Sequence, residues 1–293
     1  MNQTNGRRSL GMFIASMLIF GTIGIFRRSI PLPSAFLAFS RGILGGLFLL
    51  AFLRLRKKDG ARRLAPGLLL PLAGTGAMIG FNWMLLFEAY NHTTVGIATL
   101  CYYMQPTIVM LLSPVLFQER LGVKKLICAA AAVAGMVLIS GASGENMPEG
   151  NPRGIALGLG AAVFYSVVVI MNKKSRGIDA YAKTVVELFS AGVVMIPYLL
   201  LTGSVAQGPV DAQSVALLAV ICLVHTGIAY VLYFGSMDGM RAQSIALLSY
   251  IDPVSALLFS AVFLREPLSA AGIAGAVLII GSAMLSEVHT DPD

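Results

Sequence analysis

Apolar runs of about 17–25 residues, separated by short polar connectors, recur ten times along the chain. Runs of that length match the hydrocarbon thickness of a bilayer and read as spanning helices. They fall at about 9–26, 34–53, 66–87, 93–117, 123–141, 154–171, 180–202, 213–235, 243–264 and 270–286. The connectors carry Pro, Gly and charge, as at Ile30-Pro31-Leu32-Pro33, Lys57-Lys58-Asp59-Gly60, Glu145 to Pro152 and Gly203 to Asp211. None is long enough to hold a soluble domain. The pattern predicts an all-α integral membrane protein of ten transmembrane helices, with the lipid bilayer as its main partner.

Composition strengthens this reading. Hydrophobic residues make up 57% of the 293 and charged residues 12%, with a mean hydropathy of +0.80. A soluble domain carries about 25% charge to coat its surface, so lipid must solvate most of this chain. The net charge of +7 lies in short basic runs between apolar stretches, such as Arg54, Arg56, Lys57, Lys58, Arg62 and Arg63. That distribution fits cytoplasmic loops and excludes a nucleic-acid partner. With the N-terminus inside, inner segments hold 16 Lys and Arg and outer ones four, Arg27, Arg28, Arg153 and Arg265, with Arg41 inside the second helix. This asymmetry predicts a multi-pass protein of the cytoplasmic (inner) membrane with both termini cytoplasmic. Arg7 and Arg8 precede an apolar run, as in a secretory signal, but no Ala-x-Ala-like site follows, so the first helix is expected to stay. Cys101, Cys128 and Cys222 lie in apolar segments without ligand spacing. Neither metal nor cofactor is expected.

Sliding the sequence by 147 residues aligns the third and fourth helices with the eighth and ninth without a gap. Gly80 falls on Gly227, Phe87 on Phe234, Tyr103 on Tyr250, Pro106 on Pro253, Glu119 on Glu266 and Leu121 on Leu268. Chance supplies some Leu and Val matches in apolar sequence, but not Tyr-x-x-Pro with a Glu thirteen residues on. The reading is two five-helix repeats, 1–145 and 146–293, forming one membrane domain. Five is odd, so the second repeat enters the bilayer inverted, an arrangement typical of secondary transporters. Channels and membrane enzymes can also arise by duplication.

Tyr102-Tyr103-Met104-Gln105-Pro106 leading to Phe117-Gln118-Glu119-Arg120, and Tyr250-Ile251-Asp252-Pro253 leading to Leu264-Arg265-Glu266-Pro267, resemble the EamA type of the drug/metabolite transporter superfamily. The likeness covers nearly the full chain, and Arg41 near the start of the second helix is also typical. It implies ten helices in inverted five-helix repeats. It further implies a central cavity lined by helices one to four and six to nine, with the fifth and tenth peripheral. Members move amino acids, amines, nucleotide-related metabolites and drugs, often outward.

An ionisable group at mid-span costs at least ~2.5–3.5 kcal/mol and needs a partner or a function. Asp252 lies about ten residues into the ninth helix, before Pro253, whose missing N–H frees the Ser249 carbonyl. A carboxylate there can bind a cation, carry a proton or satisfy the opened backbone; its counterpart in the repeat, Gln105, is neutral. Arg41 and Glu187 stand at nearly equivalent positions of the repeats. Arg41 could meet a substrate carboxylate and Glu187 could gate or accept a proton, or both could snorkel to loops and headgroups. His225 reads as a hydrogen-bonded core residue or a proton relay. Glu88 and His92 read as solvated, Tyr90 as an interfacial belt residue, and Glu119 and Glu266 as caps of the helices that follow them. Tyr103, Tyr250, Tyr230, Trp83 and Asn82 are candidates for a substrate wall able to hold an ammonium by cation–π attraction and hydrogen bonds. Pro106 and Pro253 are candidate hinges. The Gly42/Gly46, Gly76/Gly80 and Gly154/Gly158 pairs suit close packing within the chain, or a homodimer instead of a monomer.

The expected function is a secondary transporter of small metabolites such as amino acids or amines, working by alternating access, exporting, and drawing on protons through Asp252. The alternatives are a channel or a membrane enzyme on the same scaffold. Neither rings of like charge nor a nucleophile, metal or phosphate motif favours them.

Overall fold

The computed structural model describes residues 3–55, 66–117, 122–139, 151–174, 178–205, 211–237, 240, 245 and 248–288. Glu119 and the basic segment from Arg56 to Arg63 lie outside them. The elements are α1 (Gln3–Arg28), α2 (Ser34–Leu55), α3 (Pro66–His92), α4 (Val95–Tyr102), α5 (Gln105–Phe117) and α6 (Val123–Ile139). There follow α7 (Pro152–Lys174), α8 (Ala180–Val193), α9 (Met195–Thr202), α10 (Ala212–Val220), a π-helical segment (Ile221–Ile228) and α11 (Ala229–Met237). The last two are α12 (Ile251–Phe263) and α13 (Ala270–Val288). All regular structure among the described residues is helical. Seven stretches are long and apolar enough to cross a membrane: Arg7–Arg28, Ser34–Leu55, Gly67–His92, Val95–Leu112, Pro152–Asn172, Ala180–Thr202 and Ala212–Ser236. The apolar helices Ile251–Phe263 and Ala270–Leu285 are shorter. Large apolar side chains such as Leu55, Leu70, Val115 and Leu201 point outward, as a lipid-facing surface requires.

The packing joins the repeats. α3 packs on α7 and α8, α2 on α8, α1 on α11 and α12, and α4 on α7 and α12, while α6 and α13 pack on each other at the margin. Small residues set the closest approaches. A Cβ at Gly76 would meet the Glu187 carbonyl oxygen of α8, and one at Gly80 would lie 2.6 Å from the Ala191 carbonyl oxygen. A Cβ at Gly42 would meet the Gly192 backbone. Without a hydrophobic drive between helices in lipid, such backbone approach is what dispersion contacts depend on. The glycine pairs thus serve contacts inside the chain.

The two Tyr-x-x-Pro segments are breaks. The chain turns at Tyr103 and Met104, and again at Tyr250, before α5 and α12 begin. Pro106 cannot donate to the Tyr102 carbonyl, nor Pro253 to that of Ser249, so each helix restarts with its proline in the first turn, where the missing N–H costs nothing. Asp252 therefore sits in the first turn of α12, not deep within one unbroken helix as the periodicity suggests.

Gly76→Val places a branched side chain against a backbone carbonyl that no rotamer change can clear. The expected cost is about 1–3 kcal/mol, seen as a lower melting temperature of the detergent-solubilised protein. Gly281→Val, where a Cβ meets nothing within 4 Å, is expected to leave it unchanged.

Candidate functional site

A cavity of about 790 Å³ runs through the middle of the bundle, a size that suits a small metabolite. Its walls come from α1–α5, α7, α8, α11 and α12, and α6 contributes Lys125 at one end. Seven of the nine tyrosines line it: Tyr90, Tyr102, Tyr103, Tyr165, Tyr230, Tyr233 and Tyr250. They are interleaved with Phe20, Trp83, Phe87 and Phe234. Ring contacts continue round the wall, with centroids 5.4 Å apart for Tyr102–Tyr165, 5.7 Å for Phe20–Tyr230 and 5.2 Å for Tyr233–Phe234. The wall therefore offers both π faces and hydroxyls.

Arg41 is 5% exposed and projects from α2 into this space. Its Nε donates to Thr226 Oγ1 at 2.7 Å, and its guanidinium carbon lies 3.9 Å from the Trp83 ring centroid and 5.8 Å from that of Phe87. The ion pairs among the described residues are Arg28–Glu266 and His92–Glu88, so Arg41 keeps its charge by cation–π attraction and a hydroxyl, without a carboxylate. Thr226 reaches it from the π-helical segment, whose i→i+5 pattern often marks functional positions. His225, the neighbouring residue, lies outside the cavity wall. It shares a 2.9 Å hydrogen bond with Thr22 Oγ1 and packs edge-on against Phe26, 5.0 Å between centroids.

Asp252 and Tyr103 meet across the repeats. The Tyr103 hydroxyl donates to Asp252 Oδ2 at 2.7 Å, and Tyr250 stands against Tyr103 with centroids 6.3 Å apart. Gln105 and Pro106 line the same wall, and Pro253 is buried beside Asp252 outside the lining. Asn82, 1% exposed, donates from Nδ2 to the Ala161 carbonyl at 2.7 Å. Glu187, 3% exposed, lines the cavity beside Asn172. The structure thus gathers Arg41, Asn82, Trp83, Tyr103, Gln105, Glu187, Tyr230, Tyr250 and Asp252 around one space, and leaves His225 out of it.

The two ends differ. One reaches half-buried Lys125, Ala180 and Lys183 at the starts of α6 and α8. The other stops at Tyr90 and Thr99, whose hydroxyls lie 3.3 Å apart. Tyr90 is therefore a 2% exposed wall residue and not an interfacial one. Beyond it lies a polar layer. Arg27 donates to the Ile30 carbonyl and to Ser34 Oγ, and Ser34 donates to Glu88, which also holds Asn91 and His92. Glu88 and His92 are thus half-buried members of a network and not merely solvated. Arg28 donates to the Thr93 carbonyl at 2.9 Å and to Glu266 Oε1 at 3.2 Å. Glu266 also accepts from the Val95 amide at 3.0 Å and from the Gly96 amide at 3.4 Å. It caps α4 in the other repeat, while α13, the helix that follows it, is capped by Ser269 at 3.0 Å. Arg265, in the left-handed region at φ 56°, is the turn that aims it.

Sequence periodicity gave no sign of Asn172 and Lys183 as wall residues, nor of Thr226 as the partner of Arg41. Asn172 precedes two lysines at a helix end and looks like loop chemistry, and Thr226 reaches Arg41 only through the π-helical segment. Lys183 passes for another basic residue of an inner loop.

The EamA-like transporter family matches the chain twice, over residues 7–141 and 152–287. The chain belongs to this family. The two matches fit a two-repeat layout. Among similar proteins, the uncharacterized transporter YxxF of Bacillus subtilis (strain 168) is 29% identical over 255 residues, covering 85% of this chain and 80% of that protein. A probable amino-acid metabolite efflux pump of Salmonella typhimurium is 29% identical over 228 residues, covering 73% and 75%. Protein RarD of the same organism is 25% identical over 276 residues, covering 91% and 90%. A solved crystal structure shares the fold, with a TM-score of 0.64 at 20% identity, covering 95% of this chain and 96% of that one. The EamA-like chain is therefore a multi-pass membrane protein of a transporter family.

Glu266→Ala removes the acceptor of two helix-end amides and the partner of Arg28. The expected loss is about 1–2 kcal/mol, measured as a lower melting temperature with faster hydrogen exchange at the Val95 and Gly96 amides. Glu266→Gln, which keeps an acceptor, is expected to lose less.

Proposed function

We propose that this protein is a secondary transporter exporting small amino-acid-like or amine metabolites across the cytoplasmic membrane by alternating access. Ten spanning helices in two inverted five-helix repeats underlie the proposal. The helix breaks at Tyr103 and Tyr250 in matching positions, and the odd number of apolar runs in each repeat, support that arrangement. The positive-inside bias assigns the Lys125 and Lys183 end, with both termini, to the cytoplasm. The cavity then faces the cytoplasm while the Arg27, Arg28, Glu88 and Glu266 layer closes its outer end, a loading state for export. The Salmonella relative, a probable amino-acid metabolite efflux pump, agrees with this direction and cargo.

The observation that carries the proposal is Arg41, a buried cation in the cavity wall without a carboxylate partner among the described residues. A guanidinium with donors directed into a tyrosine-walled space suits a substrate carboxylate. Asp252, tied to Tyr103 across the repeats, is the group through which proton coupling would act: gaining or losing a proton changes the bond that joins the two breaks. Pro106 and Pro253 are the hinges beside it.

Purified protein in proteoliposomes, given a panel of amino acids and amines, is expected to move at least one of them. Arg41→Gln is expected to lower transport of carboxylate-bearing substrates at least tenfold, about 1.4 kcal/mol or more. Transport by Arg41→Gln at the native rate, or of nothing by the native protein, would count against the reading. A second measurement concerns Asp252→Asn, which is expected to remove the response to a pH gradient. An unchanged response in that variant rules out coupling through this carboxylate.

A further inference from the structure

Four buried side-chain polar atoms among the described residues lack a hydrogen-bond partner: Arg27 Nε, Asn82 Oδ1, Asn172 Oδ1 and Glu187 Oε1. The last three belong to residues of the cavity wall, and all three are acceptors. An unsatisfied buried acceptor costs about 1–3 kcal/mol, more if charged, and three in one space ask for N–H donors. Chemistry fixes which way each amide faces. Asn82 must present its NH₂ to the Ala161 carbonyl, and Asn172 stands close enough to the Glu187 carboxylate to turn its NH₂ toward it; both oxygens are without partners.

The acceptors lie at two depths. On antiparallel α3 and α7, Asn82 pairs with Ala161, whereas Gly74 lies against Met171, next to Asn172. Eight residues at 1.5 Å each separate these levels by about 12 Å. Glu187 belongs to the Gly74 level, since its backbone carbonyl lies against Gly76. Arg41, over Trp83, belongs to the level of Asn82. Tyr230 lines the same cavity within electrostatic reach of both Arg41 and Glu187. The cavity thus has a cation at one level and a carboxylate about two helical turns nearer its Lys183 end. Lys183, one turn from Glu187, does not close an ion pair with it. Asp252 is a weaker receiver because the Tyr103 hydroxyl already occupies Oδ2.

We propose that Glu187 and Asn172 form an amine-accepting subsite on the order of 10 Å from Arg41, and that the cavity takes substrates whose amine is separated from the carboxylate by several methylenes. The proposal rests on the transporter reading, with Arg41 as the carboxylate site, and adds the second pole. The apolar stretch of such a substrate would lie along the tyrosine wall between the two.

The test is equilibrium binding to the full-length protein in nanodiscs with three six-carbon probes: hexanoate, norleucine and 6-aminohexanoate. All carry a carboxylate; norleucine has its amine beside the carboxylate, and 6-aminohexanoate has it at the far end. A hydrogen-bonded charge at the subsite is expected to make 6-aminohexanoate bind roughly tenfold or more tightly than either other probe. Glu187→Gln and Asn172→Ala are each expected to remove most of that advantage and leave hexanoate binding unchanged, with native melting temperatures showing that the variants are folded. If hexanoate binds and the terminal amine adds nothing, or if both variants keep the advantage, the subsite is overturned while the carboxylate site at Arg41 stands. If none of the three binds the native protein, the reading of the cavity as a substrate site falls with it.

Discussion

The Arg41 guanidinium lies over the Trp83 ring with its Nε on Thr226, and the arrangement of the bundle core follows from holding that charge inside the membrane-spanning bundle. A cation in a lipid-embedded bundle is tolerated only where protein groups replace its hydration. Here α2 supplies the charge, α3 the ring, and the π-helical segment the hydroxyl. Those three elements must come close, and the glycines of α2 and α3 that meet α8 allow it. The tyrosine wall then fills the space with groups that tolerate both an apolar body and a polar tip.

The second constraint is the backbone. A helix interrupted within a bilayer leaves amides and carbonyls that lipid cannot satisfy, so a break is tolerated only where it lines a cavity or finds partners. The breaks at Tyr103–Met104 and Tyr250 line the cavity, and local bonds such as Met104 N–H to the Cys101 carbonyl, 3.1 Å, and Val254 N–H to the Tyr250 carbonyl, 3.3 Å, absorb part of the deficit. At the end of the bundle the same problem arises where α4 begins, and a carboxylate from beyond α12 solves it.

Much of the fold was legible because lipid imposes a simple code. Run length marks the helices, and the 147-residue register of Tyr103 with Tyr250 and Pro106 with Pro253 reveals the repeat. Of the cavity wall, residues that stand out by chemistry in an apolar span could be picked from the sequence: Arg41, Glu187, Asp252, Asn82, Tyr103, Tyr230 and Tyr250. Long-range pairing could not. That Glu266 caps α4 and not the helix after it depends on how Arg265 turns the chain, and a local rule always favours the nearer helix. Asn172 and Thr226 escaped for the same reason: each gains meaning from a neighbour far away in sequence, Glu187 for one and Arg41 for the other. Tyr90 reads as interfacial by its depth along its own helix, whereas packing by α4 decides its burial.

The cross-repeat carboxylates bear on how such a protein can change over time. Glu266, in the second repeat, completes a helix of the first, and Asp252, also in the second, takes the hydroxyl of Tyr103 in the first. Neither copy therefore carries a self-sufficient set of bonds. A substitution at Glu266 or Asp252 leaves a group of the other half without its partner. The halves are in that sense a single unit of inheritance, even though their sequences still record that they began as equals.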